Sequence, residues 1–148
     1  MTSSPRSGHC RYLTAGLWLA QVAVAIVFAA SGFFKLFMPI ADLAAMMTWP
    51  GDYPSPFVRA IGLVDLLGAA GVLLPSLTRI RPQLTVFAAG GCVLLQVLAI
   101  AFHASRREFS VLPLNFVLLP LCVLVLWGRG RRMPISARAK DAAPGRGA

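Results

Sequence analysis

The side chains in this sequence that could do chemistry are few, and two of them stand where a charge is expensive. Lys35 and Asp65 each fall within, or at the edge of, a long apolar stretch. A lone ammonium or carboxylate at the centre of a membrane-spanning helix costs about 2.5 to 3.5 kcal/mol on insertion scales, so each needs a partner. An ammonium paired with a carboxylate in such a place can contact a polar head group, relay a proton or merely fix the packing of two helices, and residue types alone leave all three open. Ser31 stands one helical turn before Lys35, and Arg59, His103, Arg106, Arg107 and Glu108 fall toward the same end of the apolar segments. Ser31, Lys35, Arg59, Asp65 and His103 form the candidate ligand-binding set, around a polar pocket open at that end.

Other chemistries find no footing. There is no nucleophile motif, phosphate loop or metal constellation, so no catalytic residue and no bound metal are expected. Cys10, Cys92 and Cys122 are odd in number, widely spaced and without a C-x-x-C pair, which argues against disulfide chemistry by this chain alone. Cys92 and Cys122 read as small buried hydrophobes. His9 and His103 are too few and too far apart for a metal or haem site.

The elements that must hold these groups follow from composition. The 148 residues are 57% hydrophobic and 13% charged, with mean hydropathy +0.73, whereas soluble domains carry about 25% charged residues. Residues 12–34, 82–105 and 109–128 contain no charged side chain over 23, 24 and 20 positions. Each can cross a hydrocarbon layer about 30 Å thick at 1.5 Å per helical residue. Residues 57–75 would do the same but for Asp65 in their middle. The expectation is an all-α integral membrane four-helix bundle, with spans near residues 13–38, 57–75, 84–102 and 111–127. Residues 1–12 precede it. The first stretch is too long for the h-region of a signal peptide and is expected to be retained. Residues 128–148, rich in Arg, Ala, Gly and Pro, should form a disordered basic tail against anionic lipid.

Four spans put both termini on one side. That side collects Arg6, Arg11, Arg79, Arg81, Arg129, Arg131, Arg132, Arg138, Lys140 and Arg146, ten of the fourteen basic residues. By the bias of basic loops toward the cytoplasm, the termini are cytoplasmic, and the net charge of +9 reflects membrane orientation rather than nucleic-acid binding. Trp18, Tyr12 and Trp127 would mark the inner interface, Trp49 and Tyr53 the outer. Pro39, Asp42, Leu43, Ala44, Met46 and Met47 predict a short interfacial helix in the outer loop, stopped at Trp49-Pro50-Gly51.

Helical spacing aligns Gln21, Val24, Phe28, Ser31, Gly32 and Lys35 on one face of the first span, and Ala89, Cys92, Gln96, Ala99 and His103 on one face of the third. Asn115 is the one strongly polar side chain of the fourth. Lys35 lies about 5 Å and Asp65 about 12 Å inside the outer ends of their helices. Side chains lean toward a helix N-terminus, and these two helices run oppositely, so the leanings reduce that difference and make a direct or water-bridged pair feasible.

Ser31-Gly32-Phe33-Phe34-Lys35-Leu36, then Gly62-Leu63-Val64-Asp65-Leu66-Leu67-Gly68, then Leu77-Thr78-Arg79 resemble the DoxX-like membrane proteins over residues 13–127. Two positions differ: the acidic residue is commonly Glu and is here Asp65, and Pro75 replaces a more usual Gly. The resemblance implies a multi-pass protein of the bacterial cytoplasmic membrane, serving as an accessory subunit of a quinone-linked or oxidative-stress redox system. It implies no covalent cofactor, a quinone as ligand, and a soluble or membrane redox enzyme as partner. The alternatives are a small proton-coupled transporter, with Asp65 near Gln21, Gln96 and Asn115, or a scaffold without ligand. A homodimer through small residues such as Ala88-Ala89-Gly90-Gly91 is a further expectation.

Overall fold

The computed structural model describes residues 6–138, with side chains from Arg11 onward. Five α-helices and no strand occur among the described residues: α1 Arg6–Phe37, α2 Ile40–Met47, α3 Ser55–Thr78, α4 Gln83–Ser105 and α5 Leu112–Trp127. Proline opens four of them, at Pro39, Pro56, Pro82 and Pro113, where its missing N–H costs no intrahelical bond. α1, α3, α4, and α5 taken together with the turn Gly128–Arg132 that continues it, contain the four stretches long and apolar enough to cross a membrane. Only 22–33% of the most apolar part of each is buried. Large apolar side chains such as Leu19, Leu67, Phe87 and Phe116 instead face outward, an exterior that hydrocarbon solvates and water does not.

The four long helices alternate in direction. Gly32 abuts Gly62 while Gln21 bonds Ser76, so α1 and α3 are antiparallel. Gly68 lies by Cys92 and Ser76 by Thr85, which reverses α4 again, and Gly128 lies against Leu17. Their shared core is Ala20, Val24, Ala25, Phe28, Ala69, Val72, Ala89, Cys92, Leu118, Cys122 and Val125. Cys92 and Cys122 are buried free thiols, as their apolar surroundings led one to expect.

α2 forms at the expected place and Thr48, at φ 58°, ends it before a 3-10 turn over Trp49–Asp52. Leu43, Trp49 and Val58 make a second small core that fastens α2 over the start of α3. Trp49 is 5% exposed; it belongs to that core rather than standing free as an interfacial marker.

α1 begins at Arg6 rather than near residue 13, so part of the segment expected to precede the bundle is helical. Two further boundaries differ from expectation for local reasons. α3 continues past Pro75 to Thr78, because a proline in the last turn removes a single bond, and the Thr78 hydroxyl donates to the Leu74 carbonyl at 2.9 Å. α4 runs to Ser105 and closes with Glu108 N donating to His103 O at 2.9 Å and Arg107 N to Ala104 O at 3.1 Å. This is the Schellman closure, with Arg107 at φ 59° in the left-handed position that glycine usually takes.

The tail expected to be disordered from residue 128 is a correction in its first part. Gly128–Arg132 form a π turn, Arg129 is 5% exposed, and Arg138 N donates to Arg79 O at 3.1 Å. Arg129 finds polar and aromatic partners on α1, so this segment packs despite lacking an apolar period. Residues 139–148 of the same expectation lie outside the described residues.

Candidate functional site

Glycine sets the distance between α1 and α3. A Cβ on Gly62 would stand 2.8 Å from the Lys35 Cβ and 3.1 Å from the Gly32 carbonyl, and one on Gly32 would stand 2.6 Å from the Gly62 carbonyl. Only the absence of both methyl groups lets the two backbones approach this closely. The consequence is that Lys35 and Asp65, one turn on from these glycines, meet directly. Lys35 Nζ lies 2.7 Å from Asp65 Oδ2, and their side chains are 11% and 6% exposed. Lys35 also donates to the Ser31 hydroxyl at 2.6 Å, and that hydroxyl donates to the same Asp65 Oδ2 at 2.9 Å. Three groups from two helices close a triangle on one carboxylate oxygen. The opposed leaning of side chains on antiparallel helices brings the pair together without a bridging water.

The triangle lies on the wall of a cavity of about 400 Å³. Phe28, Trp49, Ile61, Leu95 and Phe102 supply apolar walls, and Ser31, Lys35, Asp65, Gln96, His103 and Asn115 supply polar ones. Gln96 is 6% exposed and its Oε1 is buried with no hydrogen-bond partner. A buried amide oxygen left unpaired costs about 1 to 3 kcal/mol, so this atom calls for a donor. Asn115 Nδ2 is turned back onto the Val111 carbonyl at 3.2 Å.

At the α2 end of the cavity, His103 Nδ1 lies 2.7 Å from Glu108 Oε2, and Arg106 Nε donates to Glu108 Oε1 at 2.8 Å. Arg106 also bonds Asp52, which ties the end of α4 to the turn after α2. Burial works to raise the Glu108 pKa, but hydrogen bonds from Arg106 and His103 outweigh it and hold the carboxyl below its ordinary range. Hydrogen bonds to Glu108 and Asp52 push the Arg106 guanidinium further up.

Of the five candidate ligand-binding residues, Ser31, Lys35, Asp65 and His103 therefore line one cavity. Arg59 does not: its guanidinium donates to the Lys35 carbonyl, capping the C-terminus of α1 where a cation complements the helix dipole. Arg106 and Glu108 likewise act in the cap rather than on the wall. Gln21, expected near Asp65, belongs elsewhere. It donates to the Val72 carbonyl at 2.9 Å and to Ser76 Oγ at 3.0 Å, nearer the other end of α1. Sequence reasoning placed Gln96 on the inward face but did not identify its unpaired oxygen. No group of His, Cys, Asp and Glu that could hold a metal ion occurs among the described residues.

Comparison with known proteins adds one finding. A family model described as the DoxX-like family matches residues 19–125, which takes in the glycine contact, the Lys35–Asp65 pair and all of α3 and α4. No curated protein and no solved structure matches the chain.

Proposed function

The chain belongs to the DoxX-like family of membrane proteins, and on that premise we propose that it is an accessory subunit of a quinone-linked or oxidative-stress redox system, holding a quinone in the cavity beside Lys35 and Asp65. In this reading the termini are cytoplasmic, α2 lies at the outer interface of a bacterial cytoplasmic membrane, and a separate redox enzyme is the partner. The single observation that carries it is the unpaired oxygen of Gln96, a residue lining a cavity whose walls are aromatic on one side and polar on the other and that also holds an ion pair.

The residues suit such a ligand. The aromatic walls match a ring and the polar side matches its oxygens. Lys35 uses two of its three ammonium protons on Ser31 and Asp65, which leaves one for a quinone carbonyl. Gln96 Oε1 accepts a hydroxyl from the reduced form, and the Gln96 amide group donates to the oxidised one. Electron transfer belongs to the bound quinone and its partner; this chain binds, orients and excludes water.

Purification in mild detergent, followed by mass spectrometry of lipophilic extracts and co-purifying proteins, tests the reading. Wild type is expected to retain quinone, and Gln96→Leu and Asp65→Ala to lose it. Gln96→Leu removes an unsatisfied group and should fold well, so retention unchanged in that variant removes the proposed site. Proton-coupled transport is the second reading, supported by Asp65 and His103 lining one cavity. It requires a proton flux in proteoliposomes that Asp65→Asn abolishes. If cells tolerate replacement of both Lys35 and Asp65 by apolar residues, the polar groups serve packing alone and the chain is a scaffold.

A further inference from the structure

At the opposite end of the bundle, Arg129 stands buried with no counter-charge among the described residues. Its Nε donates to Gln21 Oε1 at 2.5 Å, and its guanidinium lies 4.9 Å from the centre of the Trp18 ring. Its Nη2 is buried with no partner. The described carboxylates, Asp42, Asp52, Asp65 and Glu108, all belong to the α2 half of the molecule, so none neutralises it. Arg11, Arg79, Arg81, Arg131, Arg132 and Arg138 gather at the same end as Arg129 and deepen the positive field.

Arg129 also lines a second cavity of about 310 Å³, framed by the first turns of α4 and by the segment that follows α5. Gln83 and Ser76 add polar groups to its wall, and Val86, Phe87 and Ile135 add apolar ones. A buried guanidinium edge is stabilised by an oxyanion that accepts from its planar fork, and phosphate matches that fork in two-pronged fashion. The volume, roughly ten times the share of one water in the liquid, admits such a group.

We propose that this second cavity binds a phosphate-type anion beside Arg129, either the phosphodiester of an anionic phospholipid or inorganic phosphate. Both sources present the same chemistry; phospholipid head groups have the advantage of being concentrated at the depth where a bundle ends. The site is separate from the cavity at Lys35 and stands whether or not that one holds a quinone.

Native mass spectrometry of the full chain, in micelles holding equal amounts of phosphatidylglycerol and phosphatidylcholine, tests the assignment, with inorganic phosphate in phosphatidylcholine micelles as a parallel arm. Wild type is expected to retain phosphatidylglycerol at least tenfold over phosphatidylcholine. A rise in melting temperature with inorganic phosphate but no lipid preference assigns the free anion instead. Arg129→Gln should abolish either response. Because that change also breaks the bond to Gln21, Val86→Phe serves beside it: it fills the cavity, leaves Arg129 and its partners in place, and should abolish the same response in a folded protein. No preference and no phosphate shift in wild type, Asp141 and the rest of the tail included, overturns the proposal. So does a preference that survives Val86→Phe.

Discussion

Removing Lys35 and Asp65 separately and together should give results that do not add. At 2.7 Å and an effective dielectric of about 20, the attraction is of order 6 kcal/mol. Desolvating two ions costs several kcal/mol each, so the pair as a whole contributes little to stability. One partner without the other is a different matter. Lys35→Met leaves the carboxylate with only the Ser31 hydroxyl, and Asp65→Leu leaves an ammonium with the same hydroxyl. Each is expected to cost about 3 to 5 kcal/mol. The double replacement leaves no charge behind and should lie within about 1 kcal/mol of wild type, a coupling of at least about 5 kcal/mol. Equilibrium unfolding in mixed micelles with increasing dodecyl sulfate, followed by far-ultraviolet circular dichroism, measures all four states. Single changes that cost less than about 1 kcal/mol, or a double change equal to the sum of the singles within about 0.5 kcal/mol, would refute the pairing as the reason these charges are tolerated.

Three further outcomes are expected. Gly62→Ala places a methyl group 2.8 Å from the Lys35 Cβ; α1 and α3 must separate, at about 1 to 3 kcal/mol by the same unfolding assay, and the proposed quinone binding should be lost with the ion pair. Glu108 has a depressed pKa in the folded protein, so its contribution is fully present above its unfolded value and is lost as pH falls through the folded one. Thermal unfolding below about pH 4.3 should show that loss in wild type and a flatter acid limb in Glu108→Gln. Arg107→Gly relieves the left-handed backbone at φ 59° and should stabilise the protein by about 0.5 to 1 kcal/mol in the same melts, a loss of stability counting against the strain argument.

The bundle was legible because charge-free length is a direct consequence of hydrocarbon thickness, and the Lys35–Asp65 contact because three- and four-residue steps and antiparallel succession determine which side chains share a level. The details that escaped depend on distances no spacing rule contains. Arg59 and Arg106 lie at the correct end, but long flexible side chains choose the nearest helix terminus or carboxylate, and here those are the Lys35 carbonyl and the Glu108–Asp52 pair. Gln96 sits on the predicted face, yet its missing partner follows from what three neighbouring helices do not offer. Arg129 is indistinguishable by composition from the Arg- and Gly-rich run around it, since composition averages over a segment. The decisive contact is with Gln21, 108 positions away in the chain.

Trp49 has one more use. It belongs to the small core that fastens α2, and it also forms part of the wall of the larger cavity, 5.9 Å from Phe102 by ring centroid. The remaining two tryptophans, Trp18 and Trp127, lie at the far end of the bundle. With those two changed to Phe, Trp49 carries the sole indole, excited selectively over Tyr12 and Tyr53 at the red edge of its absorption, a fluorescent gauge embedded in the chamber. Its quenching then reads out occupancy, and its wavelength reads out the seating of the short helix above it.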